Sequence, residues 1–86
     1  MNYRIIIENK ATKEADKIPL KYRTAIDDTI LSFALNPRPR NAIKLTDRNG
    51  YRIRVGNYRI LYTIDDEAKV VVVYRIKIRG ESTYKH

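Results

Sequence analysis

Eighty-six residues make one domain spanning residues 1–86, since a division in two would leave halves too short to bury a core. The chain has no cysteine and one histidine, His86, which excludes disulfides, thiolate metal sites, a cysteine nucleophile and the full parts list of a serine triad. Eighteen Lys and Arg against ten Asp and Glu leave a net charge of +8, which favours a polyanionic partner over a neutral one.

That excess is uneven: residues 1–37 carry +1, residues 38–59 carry +6, residues 60–68 carry −3 and residues 69–86 carry +4. No apolar run reaches the ~18 residues of a membrane span. The first ten residues lack the basic, apolar and small-residue order of a signal peptide, so the chain reads as cytoplasmic, with no membrane partner.

Residues 3–8 are β-branched and aromatic with partial alternation, which predicts a strand with Tyr3, Ile5 and Ile7 facing inward. A short helix follows, capped by Thr12, with Ala11, Ala15 and Ile18 on one side and Pro19 as its stop. Pro19 equally opens a second helix, where Tyr22, Ile26, Ile30 and Phe33 recur at spacings of four, four and three and form a core stripe widened by Ala34. Asn36-Pro37 ends it, and Pro37-Arg38-Pro39-Arg40 reads as a stiff, extended connector.

The second half reads as a meander. Gly56-Asn57 between two alternating runs predicts a two-residue hairpin turn, which sets Val55 opposite Tyr58, Arg54 opposite Arg59 and Tyr51 opposite Tyr62. One face then holds Tyr51, Ile53, Val55, Tyr58, Ile60, Tyr62 and Ile64, and the other Arg52, Arg54, Arg59, Leu61 and Thr63. In the last strand the even positions Val70, Val72, Tyr74, Ile76 and Ile78 form the expected apolar face. Pairing apolar sets puts Ile64 opposite Val70 and Asp65 opposite Lys69, with Asp66-Glu67-Ala68 as the loop. An antiparallel-rich sheet with one apolar face needs a cover. The expected fold is therefore α+β: a strand, two helices, then a three-stranded meander, with the helices packed on one face.

The polar face poses an energetic problem. Arg54 across from Arg59, with Arg52, Arg75, Lys77 and Arg79 nearby, sets like charges about 5 Å apart, which costs a sheet roughly 0.2–1 kcal/mol per opposed pair and about 3 kcal/mol at an effective dielectric of about 20. A phosphate among the guanidiniums reverses the sign through paired, charge-assisted hydrogen bonds. Screened side chains splaying into solvent are the alternative. Cleavage of an RNA phosphodiester needs a base for the 2′-hydroxyl, neutralisation of charge at phosphorus and a proton for the leaving 5′-oxygen. Arginines suit the second task and, with pKa above ~12, not the first. Base or acid candidates are Tyr84, Lys44, Lys77, Lys85 and the terminal His86.

Taken together, Pro37-Arg38-Pro39, Lys44-Leu45, the run from Tyr51 to Tyr62 (Tyr-Arg-Ile-Arg-Val-Gly-Asn-Tyr-Arg-Ile-Leu-Tyr) and the valine-rich strand leading to Arg79 and Tyr84 resemble the RelE/ParE superfamily of toxin-antitoxin toxins. The resemblance covers nearly the whole chain. It implies the RelE-like order of strand, helices and strands already read from periodicity. It further implies a toxin of a type II toxin-antitoxin system, an endoribonuclease (mRNA interferase) that enters the ribosomal A site and cuts the message by 2′-hydroxyl attack, without metal or other cofactor. The implied catalytic residues are Arg54, Arg59, Arg79 and Tyr84; Lys44, Arg52, Arg75 and Lys77 are the RNA-binding candidates. The best-known RelE has lysines where Arg52 and Arg54 stand, and its arginine-to-tyrosine spacing differs by one residue from that between Arg79 and Tyr84. The implied partners are a cognate RelB-like antitoxin, the ribosome and mRNA. Two rival readings are a ParE-like inhibitor of DNA gyrase without nuclease activity and a non-catalytic RNA-binding module; Arg79 and Tyr84 favour the nuclease.

Overall fold

The computed structural model describes residues 2–46 and 50–78. Its elements are β1 (Arg4–Ile7), α1 (Asn9–Asp16), α2 (Leu20–Ser32), β2 (Ile43–Lys44), β3 (Gly50–Val55), β4 (Tyr58–Asp65) and β5 (Val70–Ile78). The strands form one sheet in the order β1-β5-β4-β3-β2. β1 runs parallel to β5, and the other pairings are antiparallel. The class is the α+β expected, with two additions: β2 is a fifth strand, and β1 enters the sheet at its far edge beside β5.

One core lies between the helices and the sheet. Ala11, Ala15 and Ile18 from the first helical segment and Ile26, Ile30 and Phe33 from the second meet Tyr51, Ile53, Ile60, Tyr62, Ile64, Val71, Val73 and Ile76. The predicted α2 stripe is the buried one, except that Tyr22 stays half exposed beside Tyr58. Phe33 and Tyr51 both stack on the fully buried Tyr62, with ring centroids 4.2 and 5.8 Å away. The Tyr62 hydroxyl donates to the Pro37 carbonyl at 2.8 Å, so its polar end is satisfied where the connector passes. Burial pushes the Tyr62 phenol up to about 12, because a phenolate there would lose its hydration.

The helix starts differ in part from expectation. The first helix begins at Asn9 with Glu8 as its N-cap. Thr12 is not the cap; it lies in the first turn, its amide bonding the Glu8 carbonyl. Pro19 caps α2, its carbonyl accepting from the amides of Tyr22 and Arg23. Tyr3, just before β1, and Ile5 within it pack against the core, but Ile7 is 42% exposed because it stands at the outer end of an edge strand.

The β3–β4 hairpin follows the predicted register residue for residue, from Val55 opposite Tyr58 to Tyr51 opposite Tyr62. Gly56 takes φ +60°, the positive value that a type II′ turn needs at its first central position. β5 departs from the expected alternation. Ile64 faces Val71 and Asp65 faces Val70, one residue off the expected pairs, and the register shifts again so that Tyr62 faces Val73 while Leu61 faces Arg75. Tyr74 is thus the extra residue of a β-bulge, and the inward set changes from Val71 and Val73 to Ile76. Val70 and Val72 lie on the opposite face. The loop is Asp66 to Lys69. It manages without glycine because Lys69 itself adopts φ 58°, while the Ala68 amide donates to the Asp65 carboxylate at 3.0 Å.

Candidate nucleic-acid interface

The face of the sheet turned away from the helices collects the basic side chains. Directly paired residues share a face, so Arg54, Arg59 and Lys77 form one row across β3, β4 and β5, and Arg52, Leu61 and Arg75 form the next. Arg54 is exposed; Arg52, Arg59 and Lys77 are half buried. Ion pairs among the described residues engage Arg23, Arg38 and Arg75; none reaches the Arg54–Arg59–Lys77 row. Arg59 Nε is buried, and no hydrogen-bond partner serves it among the described residues. A buried donor left unmade costs about 1–3 kcal/mol, and here it sits amid like charge. An oxyanion removes both penalties at once.

Arg75 has a different occupation. Its guanidinium grips Glu14 of α1, with Nε at 2.9 Å and Nη2 at 2.8 Å from the same carboxylate oxygen. The other Glu14 oxygen accepts the Ile76 amide at 2.7 Å. β1 ends opposite Val73, so Glu14 serves the edge of β5 that β1 leaves open. Burial raises the Glu14 carboxyl, but hydrogen bonds from Arg75 and the Ile76 amide, with the Arg75 and Lys10 charges, outweigh it and hold the group below its ordinary value.

Lys44 does not join the row. It pairs with Tyr51, which faces the core, and its Nζ lies 5.5 Å from that ring on the helical side. Arg38 approaches the same ring at 5.3 Å. It donates through Nε to the Tyr51 hydroxyl at 3.0 Å and forks onto Asp66 at 3.1 and 2.8 Å. Asp66 also accepts the Tyr3 hydroxyl at 2.6 Å. Hydrogen bonds from Arg38 and Tyr3 hold the Asp66 carboxyl down at about 2. The connector is thereby clamped to the β4–β5 loop. A cleft of about 680 Å³ beside it is lined by both signs of charge, including Arg38, Lys44, Asp65 and Glu67. Its carboxylates make it a poor host for phosphate, whereas the basic row lies on an open surface that a nucleic-acid backbone reaches without a pocket.

Of the remaining sequence candidates, Arg79, Tyr84, Lys85 and His86 lie outside the described residues. Sequence reasoning overlooked Tyr74 as a surface group, assigning it to the core by parity. The one available signal was composition, since an aromatic between Val73 and Arg75 fits a bulge as well as a continuous strand. Among the described residues no group of three or more His, Cys, Asp or Glu is placed to hold a metal ion, and no helix is long and apolar enough to cross a membrane.

Comparisons agree with this architecture. RelE of the archaeal RelE–RelB complex from Pyrococcus horikoshii superposes with a TM-score of 0.85 at 28% identity, over 94% of this chain and 99% of that one. A doubly substituted Escherichia coli RelE variant in the free state, with two arginines changed to alanine, matches at 0.79 and 25% identity, over 96% of this chain and 88% of that one. The RelE1 protein of Methanocaldococcus jannaschii is 22% identical over 90 residues, covering all of this chain and 99% of that protein. The profile of the family described as the ParE toxin of the type II toxin-antitoxin system parDE matches residues 5–82. With nearly its whole length inside that profile and its fold shared with RelE, the chain belongs to the RelE/ParE superfamily of type II toxin-antitoxin toxins.

Proposed function

We propose that this toxin is a ribosome-dependent endoribonuclease that cuts mRNA in the A site, inhibiting translation. The supporting observation is the Arg54–Arg59–Lys77 row: three cations on the open face, without a carboxylate among the described residues, and with the Arg59 Nε unpartnered. In this reading Arg54, Arg59 and Arg79 bind the scissile phosphate and stabilise the charge that grows on its non-bridging oxygens. The 2′-oxygen gives up its proton and attacks phosphorus, the bond to the 5′-oxygen breaks as that oxygen takes up a proton from solvent, and the products are a 2′,3′-cyclic phosphate and a 5′-hydroxyl. Tyr84 is the base or a base-stacking group. Arg52 and Lys77 steer the RNA, and Arg75, restrained by Glu14, contributes field more than contact. Lys44 meets RNA only if the strand wraps the β2 edge. No metal or cofactor takes part in the proposed step.

The proposed partner is a RelB-like antitoxin, since the P. horikoshii relative was solved with RelB and the charge of +8 suits an acidic segment. The ParE description of the matching profile favours a second reading, in which the toxin inhibits DNA gyrase and leaves RNA intact. Programmed ribosomes with mapped message ends, beside a gyrase supercoiling assay, separate the two. Cuts within the A-site codon and unimpaired supercoiling are expected. Intact message with inhibited gyrase overturns the nuclease reading, and intact message with active gyrase reduces the protein to a binding module.

A further inference from the structure

Tyr74 is the residue that the β5 bulge leaves without a partner on β4, and bulges re-aim the side chain they carry. Gly50 pairs with Thr63 on the open face, and a Cβ built at Gly50 falls 3.5 Å from the Tyr74 hydroxyl. The side chain therefore starts on β5, crosses β4 and ends over β3, spanning strands about 4.8 Å apart. To do so the side chain leans over the sheet instead of standing out from it, and the residue remains partly exposed. A Cβ at Gly50 would meet that hydroxyl in ordinary contact and would press only on the Leu45 side chain, at 3.2 Å.

The tyrosines of the described residues differ in what their rings meet. Tyr51 and Tyr62 stack with other rings, Tyr22 and Tyr58 meet each other at a tilt, and a lysine sits over Tyr3. No ring or cation among the described residues covers Tyr74. The Arg52–Leu61–Arg75 row lies directly alongside it, and the Arg54–Arg59–Lys77 row is roughly 10 Å away along the strands, a distance that one to two nucleotides of an extended strand cover. A flat aromatic beside a phosphate-binding row is the pairing by which single-stranded nucleic acids are held, because every base offers a π-face.

We propose that Tyr74 is the stacking platform for a nucleobase of the RNA strand whose phosphate the Arg54–Arg59–Lys77 row binds. The inference rests on the nuclease reading above and adds to it a base-contact residue outside the resemblance to RelE. Cleavage on programmed ribosomes tests it, with A-site codons that are intact or carry one abasic position. Tyr74→Leu is expected to lower kcat/KM about 5- to 100-fold, with Tyr74→Phe recovering most of that loss. On the abasic codon whose base occupies the platform, Tyr74→Leu and the unaltered protein are expected to cleave alike. If Arg54→Ala impairs cleavage while Tyr74→Leu does not, the platform is wrong and the nuclease reading survives. If neither has an effect, both fall. Photo-crosslinking of the unaltered protein to a 5-iodouridine codon needs no folded variant: an adduct on Tyr74 is expected, and adducts confined to other residues overturn the proposal.

Discussion

The two faces of the sheet treat arginine in opposite ways. At the margins of the helical layer, two arginines meet carboxylates: Arg38 forks onto Asp66, and Arg75, reaching round the β5 edge, grips Glu14. In the middle of the open face, Arg54 and Arg59 stand opposite one another with no such partner among the described residues. The first arrangement holds loops and edges in place. The second adds nothing to folding, and the proposed phosphate contact gives it a use, so in that reading function separates from structure by partner and not by residue type.

Removing a row member should separate the two kinds of arginine most clearly. Arg59→Ala is expected to lower message cleavage about 10²–10³-fold, the usual loss when one donor to a developing oxyanion is removed. Relief of like-charge opposition should leave the fold unchanged or stabilise it by about 0.2–1 kcal/mol; a matched loss of stability in a thermal melt would place Arg59 among the structural arginines. Glu14→Ala should do the reverse, costing about 1–3 kcal/mol in denaturant unfolding because the Ile76 amide loses its acceptor.

Smaller effects sharpen the marginal side. Lys69→Gly relieves a positive φ at the β4–β5 loop and is expected to gain about 0.5 kcal/mol, raising the melting temperature by a few degrees. The Asp66 carboxyl lies lower in the folded protein, at about 2, than its ordinary 3.8. Its contribution is therefore complete above about pH 4 and disappears as pH falls toward 2. Asp66→Asn should flatten the acid limb of a stability-against-pH profile in that window and leave cleavage at neutral pH intact. An unchanged acid limb would deny the Arg38 clamp its role.

Local chemistry was legible in the sequence and distant geometry was not. The hairpin could be registered from Gly56-Asn57 because a two-residue turn leaves its strands no freedom to slide, and that register alone put Arg52, Arg54 and Arg59 on one face. The final strand could not, since a valine run satisfies either parity and only packing against Tyr62 and Ile64 selects Val71 and Val73. That same ambiguity hid Tyr74. Where Lys44 stands was illegible for a related cause: nothing near it in sequence says that Ile43 pairs with Arg52 and turns the lysine toward Tyr51. The Glu14 partnership was invisible too, for it depends on α1 lying along an edge that β1 vacates, a fact about residues roughly sixty positions apart.

The pairing of Arg4 with Val70 carries a consequence for the order of assembly. During synthesis β1 leaves the ribosome well before β5, the strand it pairs with, whereas the Gly56 hairpin closes from adjacent residues. Pairings this remote form slowly. A nascent chain thus sets Arg54 opposite Arg59 in its hairpin before the β1 margin of the sheet is in place.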